Sequence, residues 1–217
     1  MNNMEQARFN MIEQQIRPWD VQDVQLLNLL SVVKREQFVP AGRQALAFMD
    51  MEIPLGFGAA MWQPKLEARV LHELHVQKNE QVLEVGTGSG YLTALLSRLA
   101  SHVTSVEIVP ELSAQAAHNL AVHGYENIKL EVGDAAKSWG SAQYDVIVLT
   151  GSVLLDPKEF QQQLKVGGRL FAIVGDAPAM QAKLISRLAN DVFESVTLFE
   201  TSVAPLQNAP LPQRFVF

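Results

Sequence analysis

The sequence predicts an α/β fold: a mostly parallel central sheet with helices on both faces, preceded by a helical N-terminal extension and followed by antiparallel strands. Three observations carry this. From residue 81 onward short apolar runs alternate with stretches of helical periodicity, at residues 81–85, 102–106, 128–132, 145–150 and 169–174, the pattern of strand-helix units feeding a parallel sheet. The first third of the chain lacks that alternation and shows only helical spacing. Near the end, residues 183–188 and 193–201 flank Ala189-Asn190-Asp191, which suits an antiparallel hairpin, although residues 180–188 also fit a helix.

Taken in order, residues 4–16 predict a helix with Phe9, Ile12 and Ile16 on one face and Pro18 as its stop. Asp20 is the expected N-cap of a second helix, with Val24, Leu27, Leu30 and Val33 as its buried stripe. Phe38-Val39-Pro40 closes it, and another short helix is expected over residues 44–48. In residues 53–64 two prolines and two glycines exclude regular structure. The near absence of polar side chains there means that the loop packs over something, either as a plug in the core or as a wall beside a ligand. Leu66, Val70, Leu71 and Leu74 then mark a helix leading to the first strand of the sheet.

Beyond residue 107, Pro110 opens a helix through Asn119 and His123, with Leu112, Ala116 and Leu120 inside and Gly124 as its end. Residues 145–150 are the most continuously apolar strand, which predicts a central position. Residues 160–164 belong to the following helix, Gly167-Gly168 form a turn, and residues 214–217 add an edge strand.

The chemistry gathers after residue 81. Gln81-Val82-Leu83-Glu84-Val85 runs into Gly86-Thr87-Gly88-Ser89-Gly90, and Leu92, Leu95, Leu96 and Leu99 follow at helical spacing. Strand, tight glycine loop and helix together bring bare backbone and free helix N–H groups to one spot, where a polar ligand is held. The next strand ends at Glu107, a carboxylate suited to a pair of ribose hydroxyls. The ligand therefore contains a nucleoside. A dinucleotide fingerprint would place its third glycine at Tyr91, one residue later than Gly90. Glu84 also disfavours an anionic pyrophosphate and suits a cationic sulfonium with an amino-acid tail.

Composition narrows the class. A chain of 217 residues with 48% hydrophobic and 18% charged residues is large enough for one buried domain and is not disordered. The net charge of -6, with no basic run, argues against nucleic acid as a partner. No cysteine is present, which excludes disulfides and thiolate metal sites. The five histidines form no H-x-x-x-H pair, so no metal site is expected. No apolar stretch reaches the roughly 18 residues of a membrane span, and the cytoplasm is the expected address.

With these pieces placed, the chain resembles the protein-L-isoaspartate O-methyltransferases. Arg35-Glu36-Gln37-Phe38-Val39-Pro40 is similar to that family's R-x-x-F-V-P signature, and Ile53-Pro54-Leu55-Gly56 with Gln63-Pro64 to its I-P-I-G…Q-P loop. Leu83 to Tyr91 follows its L-E-I-G-T-G-S-G-Y, Tyr125-Glu126-Asn127 with Gly133-Asp134 the stretch before its adenine-contacting turn, Leu164 to Leu170 its L-K-x-G-G-R-L, and Val203-Ala204-Pro205-Leu206 its closing V-P-L. The resemblance implies a Rossmann-like methyltransferase fold over one domain, with residues 1–78 as helical region and acceptor loop and 79–217 as cofactor-binding core. It implies S-adenosyl-L-methionine as cofactor and isoaspartyl or D-aspartyl carboxylates of aged proteins as acceptors.

By the same resemblance Gly86, Gly88 and Gly90 shape the methionine pocket with Glu84, Thr87 and Ser89. Glu107 with Ile108 holds the ribose, and Asp134 between Gly133 and Ala135 lies near the adenine amine. Gln63 and Thr150 complete the cofactor set. The acceptor is covered by Phe57, Gly58, Ala59, Ala60, Met61 and Trp62. This loop departs from the family, whose G-H-G-Q-T is here Gly56-Phe57-Gly58-Ala59-Ala60 and whose serine before Q-P is Trp62. After the fourth strand T-A-A-A-P is replaced by Thr150-Gly151-Ser152-Val153-Leu154. The catalytic residues therefore stay unassigned. An isoaspartyl enzyme, a relative methylating a less polar acceptor, a cofactor-binding protein without turnover and, more weakly, an NAD-dependent dehydrogenase stay open, as does the oligomeric state.

Overall fold

The structure, a computed structural model, describes residues 3–212. Its N-terminal region is helical, with bounds that differ from the expected ones. Helix α1 (Asn3–Met11) continues as a π-helical stretch, Ile12–Ile16, and a 3-10 turn, Arg17–Trp19. Pro18 thus lies inside that turn, and the chain leaves it at Asp20, whose φ is 66°. A residue in that left-handed conformation ends one helix and cannot cap the next. The cap of α2 (Val24–Val32) is Asp23, whose Oδ1 accepts from Gln25 N at 2.8 Å and Leu26 N at 3.4 Å. The buried stripe becomes Leu26, Leu27, Leu30 and Val33, and Val24 is exposed. Phe9 is exposed as well; its neighbour Arg8 is buried, pairs with Glu36 and lies over the Phe48 ring. The helix expected over residues 44–48 contracts to one 3-10 turn, Gln44–Leu46.

Residues 53–61 are regular after all. Strands β1 (Ile53–Gly56) and β2 (Ala59–Met61) pair antiparallel around the two-residue loop Phe57-Gly58. Pro54 is tolerated because a two-stranded ribbon leaves each strand a free edge. Helix α3 (Pro64–Leu74) follows and buries Leu66, Val70, Leu71 and Leu74.

The strands of the main sheet are β3 (Gln81–Val85), β4 (His102–Glu107), β5 (Ile128–Val132), β6 (Tyr144–Val153), β7 (Leu164–Val174), β8 (Met180–Ala189) and β9 (Val192–Thr201). Helices α4 (Tyr91–Leu99), α5 (Pro110–Val122) and α6 (Lys158–Gln162) connect β3 to β4, β4 to β5 and β6 to β7. The spatial order is β5-β4-β3-β6-β7-β8-β9. The first five of that order run parallel, β8 is antiparallel to β7, and β9 is antiparallel to β8. β6 occupies the middle, where its apolar run predicted it. The pair β8-β9 is the hairpin, so the helical alternative for residues 180–188 falls.

Leu164 already belongs to β7 rather than to a helix, because Tyr144 pairs with it while Val146 pairs with Arg169. Gly167-Gly168 accordingly sit in a bulge within β7; a Cβ on Gly168 would lie 2.8 Å from the Asp145 carbonyl. The edge strand expected at residues 214–217 lies outside the described residues.

Alternate residues of the same strands serve two cores. Val82, Val146 and Phe171 join a cluster that runs from Met11 through Trp62 to Val203, whereas Leu83, Ile147 and Leu170 pack with Phe160 on the opposite face. The chain builds outward from β3 to β5 and then returns to the other side of β3 as β6. At such a reversal the connections diverge, which opens a crevice beyond the carboxyl ends of the strands. Among the described residues, no helix is long and apolar enough to cross a membrane.

Candidate active site

The crevice is a cavity of about 400 Å³ beyond the ends of β3, β4 and β6. Its floor is the loop after β3. Gly86 has φ 96°, and a Cβ there would fall 2.1 Å from Thr150 Oγ1. Glycine is thus required both by conformation and by space. Thr150 Oγ1 shares its one proton between the carbonyls of Val85 (2.9 Å) and Gly86 (2.8 Å), which fastens β6 to the tip of β3. Gly88 N donates to Glu107 Oε2 at 2.9 Å and Val109 N to Glu107 Oε1 at 3.1 Å. Both oxygens are fixed in place, and each retains a lone pair for a ligand hydroxyl.

Glu84 lies beneath this loop with no exposed surface. Its Oε2 accepts from the hydroxyls of Thr93 and Ser105, and Ser105 Oγ lies 2.6 Å from Thr87 Oγ1. Its Oε1 has no partner among the described residues. Burial, opposed by those two hydroxyls and reinforced by Glu107 and Glu67, pushes its pKa up to about 8. A buried acceptor without a donor is costly, and Glu84 is one of the residues around the cavity.

Asp134 closes the far wall. Its Oδ1 accepts from Ala136 N at 3.0 Å and its Oδ2 from Asn208 Nδ2 at 2.9 Å. Gly133 has no room for a side chain, since a Cβ would meet the Trp139 ring at 2.5 Å.

The hairpin forms the remaining wall, with Phe57, Gly58, Ala59, Ala60, Met61 and Trp62 all lining the cavity. Trp62, only 6% exposed, packs edge-on against Phe171 of β7. Arg35 fixes its position from behind: Nη2 donates to the Trp62 carbonyl at 2.6 Å, Nε to the Ala47 carbonyl at 3.0 Å, and Nη1 to Glu67. The guanidinium also lies over the Tyr91 ring, 5.1 Å from its centroid. Burial lifts Glu67 to about 7, with Arg35 pulling it back down.

Of the residues singled out from the sequence, two do not line the cavity. Gly90 (φ 83°) precedes α4, and a Cβ there would meet Ala116 at 3.3 Å and Leu120 at 3.4 Å, so its smallness serves helix packing. Gln63 precedes α3, and its carbonyl accepts from Leu66 N and Glu67 N. Missed were Glu52, Glu67, Leu92 and Ala136, together with the segment Ala204-Pro205-Leu206-Gln207. That segment is held by Ser152 N to Ala204 O (3.0 Å) and Leu206 N to Ser152 O (2.9 Å). Its only signal was the motif Val203 to Leu206. Five acids, Glu52, Glu67, Glu84, Glu107 and Asp134, stand in the cavity wall without one lysine, arginine or histidine among the described lining residues.

A mostly parallel sheet with a glycine loop after β3, a carboxylate ending β4 and a cavity at the strand reversal defines a Rossmann-like enzyme core that holds a nucleoside cofactor. Comparison narrows the class. A family model described as protein-L-isoaspartate(D-aspartate) O-methyltransferase matches residues 6–209, and the chain belongs to that family. A protein-L-isoaspartate O-methyltransferase of a Picosynechococcus species is 40% identical over 169 residues, covering 77% of this chain and 76% of its own. One from Anaeromyxobacter dehalogenans is 39% identical over 193 residues, covering 88% and 92%. Among solved structures, a beta-aspartate methyltransferase (PCMT) from Plasmodium falciparum in complex with S-adenosyl-L-homocysteine superposes with a TM-score of 0.81 at 18% identity, covering 95% of this chain and 99% of that one.

Proposed function

We propose that this chain methylates the free carboxylate of isoaspartyl or D-aspartyl residues in damaged proteins of the cytoplasm, with S-adenosylmethionine as donor. The observation that carries the reading is one cavity walled at one side by the glycine loop with Glu107 and at the other by the apolar hairpin, in a member of this family. The wall fits the cofactor. The unpartnered Glu84 Oε1 and the absence of lining cations suit a ligand bearing an ammonium and a sulfonium, and the spare lone pairs of Glu107 suit a ribose. Asp134, in the wall of the same cavity, is assigned to the adenine amine in this reading.

When bound, S-adenosylmethionine supplies an electrophilic methyl group on a good leaving group. The chain's task is then to align the acceptor and to exclude water. An acceptor carboxylate is ionised at neutral pH, so no base is required. The loop Phe57 to Trp62 performs the alignment and the exclusion.

A second reading, transfer to a less polar acceptor, draws support from one observation. Ala59, Ala60 and Met61 offer no donor side chain to a carboxylate. The double variant Trp62→Ser/Ala59→Gln decides between the two. On an isoaspartyl peptide the natural protein is expected to be active, and the variant to gain about tenfold in kcat/KM from a restored hydrogen bond of about 1–3 kcal/mol. A natural protein without activity beside an active variant favours the second reading. Calorimetry with NAD tests the cofactor separately, and binding of NAD alone rejects both.

Glu84 adds a pH signature. With its pKa raised to about 8, the group is mostly protonated in the free protein at pH 7. A ligand ammonium beside Oε1 favours the ionised form, so binding expels the proton. Calorimetry at pH 7 in buffers of different ionisation enthalpy is expected to show release of about one proton per cofactor. Glu84→Gln removes that release, whereas an unchanged release in the variant locates the proton elsewhere.

A further inference from the structure

Phe57 is presented at a cost that the fold does not explain. It is the first of the two loop residues between β1 and β2, with φ 54°, and Gly58 after it has φ 79°. Positive φ at both loop positions is the requirement of a type I′ hairpin turn, which prefers Asn, Asp or Gly at the first position. For a bulky side chain this conformation is strained, whereas Asn adopts it readily. The ring recovers little by burial, being 58% exposed. Yet it stands in the cavity wall, in line with the apolar surface of Ala59, Ala60 and Met61. Across the mouth, Gln207 Nε2 reaches the Phe57 carbonyl at 3.5 Å, so the turn sits where the hairpin meets the segment after β9.

A strained and wet aromatic ring is retained for what it touches outside the chain. We infer that Phe57 is a specificity-determining residue: it packs on a large apolar side chain next to the methylated residue of a polypeptide acceptor. The wall offers no cation to an acidic flanking residue, which makes that residue the disfavoured one. This rests on the reading that the acceptor enters beneath the hairpin.

The test is Phe57→Asn, assayed on isoaspartyl peptides that differ only at the residue next to the isoaspartate: Leu, Gly or Glu. The natural protein is expected to prefer the Leu peptide over the Gly peptide by about tenfold in kcat/KM, and the Glu peptide least. In the variant the Leu preference collapses while S-adenosylmethionine affinity is kept. Tm rises by about 2–4 °C, because Asn relieves the turn. A purely structural role moves Tm and leaves selectivity alone. If the natural protein methylates none of these peptides, the isoaspartyl reading fails. The contact is then read from binding of the same peptides, dye-labelled, to the S-adenosylhomocysteine complex by fluorescence anisotropy. A Leu preference present in the natural protein and lost in the variant supports the inference; a preference that persists in the variant, or none in the natural protein, overturns it.

Discussion

Glu107→Ala is expected to raise the Kd for S-adenosylmethionine by about 10²- to 10⁴-fold. The wild-type carboxylate is 5% exposed and preset by Gly88 N and Val109 N, so ribose hydroxyls meet an acceptor that needs no reorganisation. Hydrogen bonds to a charged group are each worth about 1.5–3 kcal/mol, and two of them account for the range. The truncation also leaves the two backbone N–H groups without their acceptor, which loosens the floor of the cavity. Glu107→Gln keeps the shape and loses the charge, and an intermediate Kd is expected. Calorimetry with the cofactor gives the numbers, and thermal unfolding separates lost contacts from lost fold. An Ala variant that binds as tightly as the natural protein places the cofactor elsewhere.

The same loop marks what was legible in the sequence. Glycine spacing and the strand-end Glu107 are local signals, and the structure brings them to one cavity because β3 and β4 are parallel neighbours with one helix between them. The centre of the sheet was legible for the same reason, β6 being a contiguous apolar run. Helix phase in the N-terminal region was not. Asp20 and Asp23 are both good caps, and only the left-handed turn at Asp20 selects between them. The hairpin was hidden because proline and glycine usually announce irregular chain, whereas a two-stranded ribbon tolerates both.

The cavity wall was less legible than its floor. Ala204 to Gln207 arrive from far along the chain through pairing with Ser152, a contact without local pattern. Glu67 is a charged residue in an amphipathic helix, which ordinarily marks a solvent face, yet it is 3% exposed. It is buried because Arg35, distant in sequence, brings the opposite charge. Gly90 misled in the other direction, since its place in the glycine motif does not reveal that it faces α5.

That buried pair carries the largest expected loss of stability. Arg35→Met is expected to destabilise the fold by about 3–5 kcal/mol at pH 8, because a buried carboxyl loses its counter-charge and two buried carbonyls lose their donor. Arg35 and Glu67 have side chains only 1% and 4% exposed, and the guanidinium also serves the carbonyls of Trp62 and Ala47. The loss must depend on pH, and the sign follows from Glu67. Burial already holds its pKa at about 7 beside Arg35, and removing the guanidinium raises it further above the unfolded value. A carboxyl whose folded pKa is raised costs nothing below the unfolded pKa; the cost accumulates as pH climbs from the unfolded to the folded pKa and is constant above it, so raising the folded pKa beyond about 7 extends the loss of stability to higher pH. The variant is therefore closest to the natural protein near pH 5 and falls away toward pH 8. Arg35→Met/Glu67→Met replaces both charges by apolar groups of similar length and is expected to recover the pH-dependent part of the deficit, while the Trp62 and Ala47 carbonyls stay without their donor. Urea unfolding of all three proteins at pH 5 and pH 8 measures this. A deficit of equal size at both pH values, or one that the double variant does not relieve, means that Arg35 stabilises the fold through its two carbonyl bonds and not through Glu67.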